Sequence, residues 1–242
     1  MNSIDLENLV RRLSGQVKSR VREDTHPKYG LQLIYALWQA KLCGYKKITA
    51  LEFGVAGGRG LTALKNYVSQ FAYHFGIEII IKGFDTGRGL PTLKDYRDHP
   101  EIWVQGDYTS RFRDNDLILG DVKDTLPKFI SNWDDSKLGF VSLDLDLYHS
   151  IKDALQIFKM RPDNYLPAVM VHLDDANTQL TMNPWCGAEL AVNEFNQENT
   201  LRKFEQKHRC WGIDNFYALH VLDHGIRNGT IIPEMPINCF PL

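Results

Sequence analysis

No two cysteines lie close together in this 242-residue chain. Cys43, Cys186, Cys210 and Cys239 are scattered, with no C-x-x-C pair. Neither a zinc site nor a disulfide frame is expected, and the four read as free thiols in a reducing cytoplasm. An excess of basic charge is also missing. Lys and Arg number 28 against 30 Asp and Glu, for a net charge of −2. Nucleic-acid-binding surfaces carry a basic surplus, and there is no Asn/Asp-Pro-Pro-aromatic motif, so nucleic acid is not an expected partner. No apolar run approaches the ~20 residues of a membrane span. The opening residues, Met-Asn-Ser-Ile-Asp-Leu-Glu, lack the basic and apolar segments of a signal peptide. Membrane association is therefore not expected. Internal repeats and low-complexity tracts are absent too. The remaining composition, 43% hydrophobic and 24% charged, suits one globular α/β domain.

The most informative stretch is Lys47-Ile-Thr-Ala-Leu-Glu-Phe-Gly-Val-Ala-Gly-Gly-Arg-Gly-Leu61. Ile48 to Phe53 reads as a buried parallel strand. Gly54, Gly57, Gly58 and Gly60 follow, and a helical pattern then runs from Leu61 to about Phe75. A strand, a glycine-rich turn and a helix let a backbone approach a nucleotide-like ligand, with helix N–H groups unpaired beneath it. Gly58 to Ala63 fits G-x-G-x-x-A, the dinucleotide fingerprint, but begins several residues after the strand. A tight turn without a ligand is the plain alternative.

Ahead of this stretch, Ile4, Leu6, Leu9, Val10, Leu13, Val17 and Val21 recur at helical spacing, with Arg and Lys as a solvated opposite face. A second helix spans Leu31 to Leu42 and stops at Gly44. Residues 1–46 are expected to form a helical cap over the sheet or the site, and 47–242 the main domain. After the glycines, Ile77 to Phe84 is a strand ended by Asp85, which has the position of an acid that accepts from ribose hydroxyls or simply shapes a turn. Residues 92–115, with Tyr96, His99, Trp103 and Tyr108, form a polar connection that is either a lid or a surface excursion. Leu117–Leu119 is a short strand, and a helix follows from Asp124. Phe140–Leu143 and Ala168–Leu173 are further strands. A helix is expected from Pro184 to Arg202, and Phe216 to Leu222 as an antiparallel edge strand.

Two strands end in acids: Asp144 and Asp146 after one, Asp174 and Asp175 after the other. Parallel strands put their C-terminal ends on one edge, so these carboxylates should converge. Such a set repels unless a cation joins it, and an all-oxygen site suits Mg²⁺, with Ca²⁺ or Mn²⁺ as other hard cations. Asp144, Asp174 and Asp175 are the expected ligands. His172, within its strand, is expected to be a satisfied core histidine.

Read from Glu52, the glycine stretch is acid-x-Gly-x-x-x-Gly-x-Gly, which resembles motif I of class I S-adenosylmethionine-dependent methyltransferases. Gly83-Phe-Asp-Thr-Gly-Arg-Gly-Leu-Pro91 and Asp144-Leu-Asp-Leu-Tyr-His-Ser150 are similar to segments of the macrocin O-methyltransferase group within that class. The likeness covers about residues 48 to 195. It departs at Gly87-Arg88, which replaces an aromatic-acid pair, and at Leu145, where glycine is frequent. The resemblance implies a Rossmann-like, mostly parallel sheet of about seven strands with helices on both faces. It also implies that S-adenosylmethionine lies across Glu52, Gly54, Val55, Gly58, Arg59, Gly60, Asp85 and Asp144. Asp121 and Val122 would then flank the adenine.

The implied activity is metal-assisted O-methylation of a small-molecule hydroxyl, on a sugar or a phenolic natural product. Asp146 would take the hydroxyl proton, with His149 as the alternative base, and the metal would lower the hydroxyl pKa. Two other readings stand beside it: a non-catalytic S-adenosylmethionine-binding protein, and a nicotinamide-dependent oxidoreductase using Gly58 to Ala63. Assembly into a homo-oligomer is compatible with all three.

Overall fold

The central strand β1 (Lys47–Phe53) organises a seven-stranded sheet of order β3-β2-β1-β4-β5-β7-β6. In this computed structural model, residues 2–19, 26–98, 113–174, 176, 183–207 and 216–235 are described. The other strands are β2 (Glu78–Asp85), β3 (Leu117–Leu119), β4 (Lys137–Leu143), β5 (Tyr165–Leu173), β6 (Arg202–Gln206) and β7 (Phe216–Val221). β1 to β5 run parallel, and β7 is antiparallel to both β5 and β6. This is a Rossmann-like α/β fold.

Strand residues alternate between faces, and β1 shows it directly. Ile48 and Ala50 pack under α1 (Ser3–Ser19), α2 (Pro27–Leu42) and α3 (Arg59–Phe75). Leu51 and Phe53 pack under α4 (Val122–Ser131), α5 (Tyr148–Ala154) and α6 (Gly187–Glu198). By the same alternation Glu52 faces α2. The two cores are fully separated by the sheet, which fixes the register of every parallel strand.

The N-terminal helices do more than lie over a finished sheet. α1 buries Leu6, Leu9, Val10, Leu13 and Val17, while Ile4 stays exposed. α2 has 12 of its 16 residues buried, because it is wedged between the sheet below and α1 and α3 beside it. A helix apolar all round belongs inside a core, and α2 is such a helix.

Several boundaries differ from the sequence reading: α2 already begins at Pro27, β4 at Lys137 and β5 at Tyr165, and three further differences bear on the architecture. Helix α4 begins at Val122, because Asp121 caps it by accepting from the Lys123 N–H at 3.1 Å. Helix α6 stops at Glu198, and Arg202 instead opens β6, where it pairs with Asp223. Strand β7 is antiparallel as expected but lies one place inside the edge, which β6 forms. The burial explains this: five of six β7 residues are buried, whereas β6 alternates with exposed positions. Among the described residues no helix is long and apolar enough to cross a membrane. Most of the 92–115 connection lies outside the described residues.

Leu37, at 0% exposure in the middle of α2, separates a core helix from a removable cap. Leu37→Ala is expected to cost about 2–5 kcal/mol of global stability, the usual range for a buried leucine. Urea unfolding of the intact chain measures it. A loss below about 0.5 kcal/mol would mean that α2 contributes little to the main core.

Candidate functional site

The strand ends continue their ladders just far enough to line up one edge. The Gly54 N–H donates to Phe84 O, that of Asp144 to Phe53 O, and that of Asp174 to Leu143 O, at 2.9, 2.9 and 3.0 Å. Above this edge lies a cavity of about 380 Å³, bordered by the glycine turn, Asp85, Asp121, Val122, Asp144, Asp146 and Asp174. Ligands of open α/β sheets bind outside the carboxyl ends of the strands, and this cavity is in that place.

The glycine turn is pinned from β2. Asp85 Oδ2 accepts from the N–H groups of Val55 and Ala56 at 3.0 and 2.9 Å, and its Oδ1 accepts from Gly87 N–H at 2.6 Å. The acid expected to meet a ribose therefore also fixes the loop beneath it. Gly54, at φ +84, has a reason of its own. A β-carbon there would stand 1.6 Å from the Asp144 carbonyl oxygen. The obstacle to a side chain is thus the neighbouring strand end, where the sequence reading had put the ligand. Gly58 caps α3 at φ +80. Gly60 lets the first turn of α3 approach Glu52, since a β-carbon would fall 1.9 Å from Glu52 Oε1. Val55, Arg59 and Gly60 all border the cavity.

Beneath the cavity runs a buried polar row. Glu52 pairs with Ser142, and Ser142 with His172, across β1, β4 and β5. All three are 4% exposed or less. Tyr29 of α2 covers the row. Its hydroxyl donates to Glu52 Oε1 at 3.0 Å and lies 2.6 Å from Ser142 Oγ. Its ring packs against those of Phe140, His172 and His26, with centroids 5.3, 5.2 and 5.2 Å apart. Glu52 Oε2, His172 Nδ1 and His26 Nε2 are buried with no hydrogen-bond partner among the described residues. Burial, assisted by the Asp85 charge and opposed by the Tyr29 hydrogen bond, pushes the Glu52 carboxyl up to about 8. Burial also raises the Tyr29 hydroxyl well above its ordinary value, the charge of Glu52 adding to it. His26 is lowered, first by burial and then by the charges of His172 and Arg59. None of Tyr29, Ser142 and His26 was singled out from sequence. The usable signal was parity, since Ser142 and His172 occupy the same row as Glu52.

The expected acidic residues divide. Asp144, Asp146 and Asp174 border one cavity, although Asp146 sits at φ +55, so it does not simply continue the strand from Asp144. Asp174 Oδ1 is 3.0 Å from His172 Nε2, and this hydrogen bond holds its carboxyl below the usual range. Asp175 lies outside the described residues. Among the described residues, no three His, Cys, Asp or Glu side chains are arranged to hold a metal ion. His149 is placed elsewhere. Its backbone N–H and Nδ1 both meet Asp98 Oδ1, at 3.0 and 2.9 Å, and it does not border the cavity. Asp121 borders the cavity while capping α4.

An S-adenosylmethionine-like group fits this donor set. A buried carboxyl oxygen without a partner among the described residues, on a residue that borders the cavity, suits a ligand cation. The pinned glycine turn, which also borders the cavity, offers close backbone approach.

No protein-family model matches the chain, and no curated protein matches it in sequence. Its fold is shared with solved methyltransferase structures. The calicheamicin methyltransferase CalS11 is 17% identical with a TM-score of 0.53, over 91% of this chain and 94% of that one. An apo structure of CalS11, described as a TDP-rhamnose 3′-O-methyltransferase, gives 17% identity and 0.47 over 90% and 93%. The S-adenosylhomocysteine-bound methyltransferase PaMTH1 of Podospora anserina gives 13% and 0.40 over 88% of each chain. At such identities the likeness is one of fold, and it does not single out the macrocin group.

Two predictions follow from this geometry. Gly54→Ala is expected to destabilise the protein by more than about 3 kcal/mol, combining left-handed strain with a backbone clash; chemical denaturation measures it, and a loss under 1 kcal/mol would contradict the packing of Gly54 on Asp144. Glu52→Gln is expected to raise the melting temperature. A carboxyl raised to about 8 in the folded chain has its full stability below its ordinary value. That stability is lost as pH climbs towards 8. The gain on substitution should therefore grow from pH 5 to pH 8, each kcal/mol appearing as a shift of about 2–4 °C in a domain of this size. A gain that shrinks with pH over this window would overturn the assignment.

Proposed function

We propose that this protein is an S-adenosylmethionine-dependent methyltransferase acting on a hydroxyl of a small molecule, of the sugar or phenolic natural-product kind. The observation that carries the reading is the cavity above β1 and β4. A pinned glycine turn, a buried carboxyl with one oxygen unpartnered among the described residues, and Asp146 and Asp174 all border it. Glu52 would face the cationic side of the ligand, Asp85 and the Val55–Ala56 backbone its ribose, and Asp121 with Val122 its adenine. When bound, the sulfonium supplies an activated methyl group.

The chain's own tasks are then alignment and proton removal. The rigid edge formed by Gly54, Asp144 and Asp174 holds the acceptor in line, which lowers the entropic part of the barrier. Asp146 is the residue that would take the hydroxyl proton, on its carboxylate oxygen. His149 serves this reading by fixing Asp98 and the 94–98 segment to the start of α5. Asp144 and Asp174 alone do not complete a magnesium donor set among the described residues, and chelation tests metal assistance. Cys43, buried with its thiol raised to about 12, is compatible with a reducing, cytoplasmic setting. A non-catalytic S-adenosylmethionine-binding protein would share the cavity and differ only in turnover.

Calorimetry with S-adenosylhomocysteine tests the reading. Wild type should bind it once per chain and bind NADH far more weakly, and tight NADH binding would favour the oxidoreductase alternative. Asp85→Ala should weaken binding by about 1–3 kcal/mol, because it removes charged hydrogen bonds and frees the glycine turn. EDTA should leave this affinity unchanged. Loss of methylation in EDTA, restored by Mg²⁺, would establish metal assistance, whereas full activity would remove it.

A further inference from the structure

We propose that Glu52 and Tyr29 form a cation receptor that carries a proton when empty, so that the pocket takes its cationic ligand in exchange for the proton on Glu52. The inference rests on the reading that the pocket holds S-adenosylmethionine, and it extends that reading to how binding is driven and which ligands are refused.

Glu52 is 2% exposed and borders the cavity. One oxygen is taken: Oε1 accepts from Tyr29 and lies against Gly60. The direction of that bond sets the next one, because a Tyr29 hydroxyl that donates to Glu52 can only accept from Ser142 at 2.6 Å. Ser142 and Tyr29 thus form a short polarised chain ending on Oε1. Oε2 is left buried with no partner among the described residues. An ionised carboxylate with an unpaired oxygen in a core is costly, and the neutral acid is the cheaper form.

The surrounding groups do not supply the missing charge. Tyr29 and His26 face from α2 and the residue before it, and Arg59 from α3. Asp85 faces from β2, Ser142 and Asp144 from β4, and His172 and Asp174 from β5. Arg59 makes no hydrogen bond to Glu52, and Asp85 adds a like charge that favours the protonated form. An ammonium or sulfonium entering beside Oε2 reverses the balance. The neutral acid and the ligand cation become a carboxylate–cation pair, and one proton passes to solvent. Tyr29 is the positioning residue, since it holds Oε1 and leaves Oε2 for the ligand.

Calorimetric titration with S-adenosylhomocysteine at pH 7, in phosphate and in Tris, counts the protons from the difference in buffer ionisation heat. Wild type should release close to one proton per ligand. Its affinity should rise about tenfold per pH unit below pH 8 and level off above, the slope of a one-proton exchange. 5′-Methylthioadenosine, which lacks the amino-acid ammonium and is uncharged at sulfur, should bind weakly with no release. Glu52→Gln should release none and show a flat profile. Tyr29→Phe should still release the proton, but with the plateau moved to higher pH, because the lost hydrogen bond favoured the ionised form. A merely structural tyrosine would leave the plateau in place and would remove Tyr29 from the proposal. Binding by wild type without proton release, or undiminished release from Glu52→Gln, would overturn the exchange while leaving the cofactor reading intact. Failure of wild type to bind S-adenosylhomocysteine at all would overturn both.

Discussion

A buried carboxyl held under a tyrosine is the constraint on which the site depends. Glu52 lies on the central strand, one residue from the glycine turn, and it faces inwards. A chain that folds with an acid there must give it a partner, neutralise it, or lose stability. Here Tyr29 supplies one hydrogen bond, and burial raises the carboxyl to about 8, which favours the neutral acid. The partner comes from α2, more than twenty residues upstream, so the helix has to be in place before the site has its shape. This ties the N-terminal segment to the cavity more directly than a lid would be tied. A lid can leave without exposing a core, whereas moving α2 would uncover Tyr29, Phe140 and His172 together.

The second constraint is distance between strand ends. The carbonyl of Asp144 comes so near Gly54 that no β-carbon fits between them. Close approach of this kind keeps β1 and β4 in contact to their last residues, and with Asp174 N–H on Leu143 O it carries β5 along. The acids at these ends are fixed first through their backbone N–H groups, and the Asp174 carboxylate is held as well, 3.0 Å from His172 Nε2. Asp85 adds a side-chain anchor at the neighbouring strand end, where its carboxylate pins the glycine turn.

Much of this architecture was legible in the sequence, and what escaped has a physical cause. The β1 strand, the glycine turn, α3 and the acid-ended strands carry strong local patterns, and the structure has them where the pattern lies. The end of α6 and the place of Arg202 were missed because a polar run rich in Glu and Asn keeps helical periodicity past the point where tertiary pairing takes over. The position of β7 inside the edge was missed because order within a sheet is a long-range property. Of the site residues, Glu52, Asp85, Asp144, Asp146 and Asp174 could be gathered by motif and strand end. Tyr29 and His26 could not, since nothing local marks a helix residue that will meet a strand on the opposite side of the sequence. His149 shows the converse. Its neighbourhood in the motif suggested chemistry, but its partner Asp98 lies about fifty residues away and turns the imidazole towards a loop.

Parity is the step that would have recovered part of the loss. Once β1, β4 and β5 are known to be adjacent and parallel, alternation alone puts Glu52, Ser142 and His172 on one face, and register puts them in one row. Three polar residues in a row on an otherwise apolar face demand a polar cover. Among the described residues α2 and α3 lie beside this part of the face, and α3 presents Gly60 to the same carboxyl. A hydroxyl or amide on the upstream helix is then required by hydrogen-bond accounting, and α2 offers Tyr29 and Gln32 on that turn. The cover is thus a consequence of the row, and the row follows from placing an acid at the end of a central parallel strand.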